Sequence, residues 1–138
     1  MIMFQPFPLG MALQDGGALN AAFAAGFAGA ADGIVAFAGG GQTGAIPLTA
    51  AMSNIKTVAT TADSVKLPPS LPGAWISITN SGSNSLQVFS ALTSSIPSNV
   101  LDTINGTAGA TGVAVAAGKT AEFRCFSAGA WVGPVALA

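Results

Sequence analysis

From Gln42 onward the chain is divided into short runs rich in Val, Ile, Thr and Phe, separated by turn clusters at roughly eight- to twelve-residue spacing. None of these runs carries a helical period, so each is read as a strand. They cover residues 46–49, 55–60, 64–67, 75–80, 86–90, 103–104, 113–115, 120–127 and 130–132. Pro68, Pro69 and Pro72 break the chain ahead of the Trp75 run, and the Ser- and Asn-rich stretch from Asn80 to Ser85 reads as a hairpin loop. Asn105-Gly106 is a tight-turn signal, because both residue types tolerate the positive φ that a two-residue turn requires. Strands do not alternate with helices after Gly41, so the expected sheets are antiparallel. Regular strand spacing suits a sandwich or a barrel. The sequence therefore predicts a mainly β fold, an antiparallel β-sandwich of jelly-roll type over residues 42–138.

Alternation within the runs assigns faces. In 75–80, Ile76 and Ile78 share one side while Trp75, Ser77 and Thr79 share the other. In 120–127, Ala121, Phe123 and Cys125 lie opposite Thr120, Glu122, Arg124 and Phe126. Ile76, Ile78, Val88, Phe123 and Cys125 are the expected core. Glu122 and Arg124 then pair on the outer face, where an ion pair is worth little.

Residues 1–41 are different, rich in Ala, Gly and Phe. Pro6 and Pro8 forbid a helix near the start, which leaves an extended arm carrying Phe4 and Phe7. Asp15 stands where a helix N-cap belongs. Leu19, Phe23 and Phe27 then recur every fourth residue on an Ala-rich background, which predicts a short helix over 17–28 with one apolar face. One short helix cannot bury such a face by itself, so the stripe either packs on the second part of the chain or docks onto a neighbour. Gly39, Gly40 and Gly41 mark the seam and read as a hinge between the arm and the β domain.

The charge content narrows the function. Four Lys or Arg, five Asp or Glu and no His leave 7 % of the chain ionisable, against roughly 25 % in an ordinary domain. Four cations cannot neutralise a nucleic-acid backbone, so no nucleic-acid partner is expected. The apolar stretch 18–31 is too short to span a membrane, and the first fifteen residues lack the basic start of a secretory signal. A single cysteine excludes an internal disulfide and a thiolate zinc site. A surface so poor in ions has the composition of an interface centre, which predicts cover by other subunits. The alternative is a monomer kept soluble by Ser, Thr and Asn.

Each remaining chemical motif has a plainer reading. Gly39 to Gly44 fits G-x-G-x-x-G with Asp63 about twenty residues on, but Pro47 and a β-like run follow where a phosphate-binding helix would have to open. The five carboxylates are scattered, without glycosidase-like pairing. Cys125 has no histidine to activate it and reads as an inert core thiol. Trp75 and Trp131 could stack sugars, although on short strands they more often fill a core or an interface. Asn105-Gly106-Thr107 matches a glycosylation acceptor, but the turn accounts for it. No enzyme activity, cofactor or metal is expected.

Several segments occur in a familiar order. They are Ser64-Val65-Lys66-Leu67-Pro68, the stretch from Ile78 through Asn80-Ser81-Gly82-Ser83-Asn84-Ser85 to Phe89, Asp102-Thr103-Ile104-Asn105-Gly106, and the stretch from Ala116-Ala117-Gly118-Lys119 to Trp131. Together they resemble small β-rich virion proteins of tailed bacteriophages, in which "DSVKLP", "NSGANSLQVF", "DTING" and "AAGK…C.SAG.W" recur. Asp15 to Asn20 and Gly39 to Thr43 also resemble that group, while 91–101 is a longer loop than its pattern. The resemblance implies a structural protein of the virion, foremost a capsid cement (decoration) protein on the capsid surface. Such a protein would be a homo-oligomer, a trimer, contacting the major capsid protein. Phe4, Phe7, Leu19, Phe23 and Phe27 are the candidate apolar anchors to neighbouring subunits. The alternatives are a tail, baseplate or fibre component, and a carbohydrate-binding β-sandwich module.

Overall fold

A computed structural model describes residues 29–92, 101–107 and 110–136. The expected arm, the helix over 17–28 and all five candidate anchors lie outside these residues. Among the described residues there are ten strands: β1 (Ala30–Val35), β2 (Ile46–Pro47), β3 (Met52–Thr57), β4 (Ser64–Lys66), β5 (Trp75–Asn80), β6 (Leu86–Phe89), β7 (Thr103–Ile104), β8 (Val113–Val115), β9 (Thr120–Ser127) and β10 (Ala130–Ala136). The described residues contain no helix.

The strands do not form a jelly roll. Sheet A has the order β1-β3-β5-β9-β10-β7, and sheet B the order β2-β4-β6-β8. From β1 to β6 successive strands alternate between the two sheets, and each return is parallel: β1 with β3, β3 with β5, β2 with β4, and β4 with β6. The chain thus winds through three stacked coils, β1–β2, β3–β4 and β5–β6, a β-solenoid. Antiparallel strands close its far end, β8 on β6 and β9 on β5. The antiparallel jelly-roll sandwich expected from the sequence is therefore incorrect. A parallel pair needs a long crossover, usually a helix, and here a strand of the opposite sheet serves instead. Asn80 to Ser85 is accordingly a corner carrying the chain from sheet A to sheet B, not a hairpin.

Stacking explains why these residues fold this way. Parallel pairing places Ile46, Val65 and Val88 in one row across sheet B, and the antiparallel β8 continues it with Val113. In sheet A, Ile34 lies beside Ile55, and Ile76 beside Phe123. β-Branched side chains suit such rows because their restricted rotamers lose little freedom on the pleat. Ile55, Ile76, Ile78, Leu86, Val88, Phe123, Cys125 and Trp131 fill the space between the sheets with 2 % exposure or less. All five residues expected in the core are among them.

Polar side chains fasten corner to corner. The Asn84 amide donates to the carbonyls of Val58 and Ala59 in the coil below, both at 2.9 Å. Gly82 sits so close to Val58 that a Cβ there would lie 2.7 Å from its nitrogen. Gly39, Gly40 and Gly41 make the corner between β1 and β2, all with positive φ, and a Cβ on Gly40 would stand 2.7 Å from the Ala62 carbonyl oxygen. The Asn105-Gly106 turn is formed, with φ of 54° and 77°.

Asp63 joins two corners. Its carboxylate accepts from the Thr60 hydroxyl at 2.6 Å, the Thr60 amide at 2.9 Å and the Gly39 amide at 3.3 Å. These donors, the Thr60 hydroxyl foremost, hold its pKa below the usual 3.8. A group whose folded pKa is depressed stabilises the fold above its unfolded pKa, and that contribution disappears as pH falls through the folded value. Asp63→Asn is therefore expected to melt below the wild type at neutral pH. The two melting curves should converge under acid, which circular dichroism melts between pH 7 and pH 2 will check.

Candidate functional site

The outer face of sheet A carries the largest exposed apolar side chains on regular strands. Trp75 on β5, Arg124 on β9 and Val132 on β10 are direct cross-strand neighbours, so their side chains form one row. Met52 lies on β3, opposite Ser77. Phe126 follows Arg124 two residues along β9, on the same side. Trp75 is 55 % exposed, Met52 62 %, Phe126 72 % and Val132 42 %.

Two local features shape this strip. The Gly73 amide donates to the Cys125 carbonyl at 2.8 Å, which sets Gly73 beside the Phe126 end of β9. Because glycine offers no side chain there, a hollow of about 340 Å³ remains between Trp75, Arg124 and Phe126. The Arg124 guanidinium lies 6.0 Å from the Trp75 ring centroid and donates from Nη2 to Glu122 Oε1 at 2.9 Å. That geometry holds Arg124 over the indole, worth about 0.5–1 kcal/mol at an exposed site.

A second depression of about 230 Å³ crosses β1, β3 and β5 on the same face. Its polar groups already bond one another. Asn54 Nδ2 donates to Asp32 Oδ1 at 2.8 Å, and the Ser81 hydroxyl donates to Asn54 Oδ1 at 2.6 Å. No three potential metal ligands converge among the described residues.

The chemically suggestive residues of the sequence have structural posts. Cys125 is buried, its thiol donates to the Ser127 carbonyl at 3.2 Å, and burial foremost pushes its pKa up, against thiolate formation. Trp131 lies wholly inside, with no exposed face to offer a ligand. The glycine run leads into β2, so no helix N-terminus faces a phosphate there. Asp102 is buried and accepts from the Ser70 amide at 2.7 Å. Asn105 accepts from the Gly133 amide at 2.9 Å and donates to the Gly133 carbonyl.

Phe126, Met52 and Val132 were absent from the sequence-derived site candidates. Alternation did place Trp75, Arg124 and Phe126 on outward faces. What it lacked was the pairing of β5 with β9 and of β9 with β10, which assembles them into one strip.

Comparison with known proteins gave no relative: no family model matches the chain, and neither a curated protein nor a solved structure matches it.

Proposed function

We propose that this chain is a structural protein of a tailed-bacteriophage virion, a capsid cement protein that bridges and stabilises major capsid subunits as a homotrimer. The observation that carries this reading is the strip of Trp75, Arg124, Phe126, Met52 and Val132. Trp, Phe, Met and Arg are the residue types enriched where proteins meet, and Lys, Glu and Asp are depleted there. Asp63, Asp102 and Glu122 are buried, so the described surface presents few ions to oppose such a contact. The resemblance to β-rich virion proteins supports the same reading. So does the arm sequence, whose Phe4 and Phe7 suit a segment that anchors in a neighbouring subunit.

A sugar-binding role at Trp75 is less well supported. Around the hollow the polar side chain is Arg124, already engaged by Glu122, whereas a ligand site needs several convergent hydrogen-bonding groups.

Purified chain should run as a trimer by light scattering and bind heads lacking it. Trp75→Ser together with Phe126→Ser is expected to weaken head binding at least about thirtyfold, the effect of losing a central aromatic anchor. Unchanged binding would remove this face from the mechanism. Gold-labelled antibody found on tails rather than heads would move the protein to the tail, baseplate or fibre.

A further inference from the structure

Arg124 is held in place without being used up. Its guanidinium lies over the Trp75 ring at 6.0 Å from the centroid, and Nη2 donates to Glu122 Oε1 at 2.9 Å. Among the described residues that is its one side-chain hydrogen bond, so most of the five N–H donors of a guanidinium remain. The ion pair is also asymmetric. The Arg124 side chain is 47 % exposed and that of Glu122 only 9 %, so the carboxylate lies beneath and the positive end points outward. Among the described residues no exposed carboxylate stands near the hollow to offset it. Asp32, the exposed acid of the same face, is on β1, three strand positions from β9, roughly 14 Å at ordinary strand spacing. Salt screens a surface charge at that range. Asp32 Oδ1 is moreover engaged by Asn54 Nδ2 at 2.8 Å and the Gly33 amide at 2.7 Å. The outward charge at the hollow is therefore one pre-positioned cation, set beside the exposed rings of Trp75 and Phe126.

We infer that the hollow receives an acidic side chain of the partner protein, an Asp or Glu beside an apolar residue. The carboxylate meets the outward edge of Arg124, and its apolar neighbour packs against Trp75 and Phe126. This rests on the proposal that the strip is the contact with the head, and adds what the partner must present there. A carboxylate matches a guanidinium edge with two parallel hydrogen bonds, so one fixed Arg suffices where a sugar needs several converging groups. The two rings are apolar walls, and a partner that covers them excludes water and strengthens the pairing. Anchoring by Trp75 and Glu122 also reduces the entropy lost when a long side chain is fixed. A basic partner would be opposed by the same guanidinium. A purely apolar one would cover its remaining donors without satisfying them, which is costly. An Arg and a Trp at the centre of a contact are the residue types that dominate binding energy.

Binding of the purified full chain to heads that lack it tests this, before and after the exposed head carboxylates are capped as neutral amides with carbodiimide and ethanolamine. Wild-type chain should bind capped heads at least about tenfold more weakly than untreated ones. Its binding to untreated heads should also weaken as salt is raised. Arg124→Met is made together with Glu122→Gln, so that no buried carboxylate is left without its partner. That double variant should bind untreated heads as weakly as the wild type binds capped ones, and should respond to neither capping nor salt. Should it fail to fold, Arg124→Lys carries the test: it keeps the charge, loses the planar fork, and should bind untreated heads less tightly than the wild type. The inference is overturned if capping leaves wild-type binding unchanged, or if capping weakens wild type and variant in parallel. It is also overturned if Arg124→Lys binds as the wild type does. Loss of binding in Trp75→Ser/Phe126→Ser but not in the Arg124 variants would keep the strip as the contact and dismiss the acidic partner. A wild-type chain that ignores heads altogether defeats the virion reading and this partner with it.

Discussion

Phe123→Ala is expected to lower stability by about 3–5 kcal/mol, the cost of emptying a buried aromatic site. Phe123 is wholly buried, lies beside Ile76 and stands at the strand where three parallel coils give way to the antiparallel cap. Its ring is held on the far side by Gly133, where an added Cβ would come within 2.9 Å of Cδ1. Neighbours packed this tightly on a sheet backbone relax little into a void, so the loss belongs in the upper part of that range. Domains of this size are stable by roughly 5–15 kcal/mol, so the variant should unfold at much lower urea with an unchanged slope. A loss below about 1 kcal/mol would mean that sheet A does not close on its core at this point.

Asn80→Ala should cost about 3 kcal/mol, although it removes little volume. The Asn80 amide donates to the Val115 carbonyl at 2.8 Å and the Asn84 carbonyl at 2.9 Å, and its oxygen accepts from the Gly82 amide at 3.0 Å. Asn80 ends β5 in sheet A while Val115 ends β8 in sheet B, so one wholly buried side chain clasps the two sheets and shapes the corner between them. Alanine would leave those groups without their partner where water enters poorly, the expensive way to lose a hydrogen bond. Thr79→Ala is the matched control. Thr79 is only half-buried and shares one hydroxyl contact, with Thr120 at 2.9 Å, so its loss should stay under about 1 kcal/mol. Equal losses in the two variants, measured by urea unfolding, would refute the clasp.

Both sites belong to segments that the sequence marks clearly. Strands at 75–80 and 120–127 follow from apolar alternation and appear with those bounds, and the inward residues Ile76, Ile78, Phe123 and Cys125 are inside. β1 escaped notice because Ala30 to Val35 holds two Ala, one Gly and one Asp, poor strand formers whose strand is held by pairing with β3. The functional strip was half legible: its members face outward by alternation, but they come from strands far apart in the chain. The segments carrying the bacteriophage resemblance prove rich in scaffold residues. Asn80, Asn84, Asp102 and Asn105 all bond backbone at corners or turns.

By itself the sequence determined roughly where every described strand but β1 lies, with the bounds of β5 and β9, which side of those two is apolar, and how few ions the surface can present. Those are local properties, set by backbone sterics and side-chain character within a few residues. Only the tertiary structure decided which strands pair and in which direction. A corner into the opposite sheet and a hairpin back into the same sheet use the same Asn, Ser and Gly chemistry. Two facing sheets bury the same alternating residues whether the chain meanders or coils. The choice rests on long-range contacts: the aliphatic row from Ile46 to Val113, the fit of Gly82 over Val58, and the bonds of Asn84 and Asp63 to the adjacent coil.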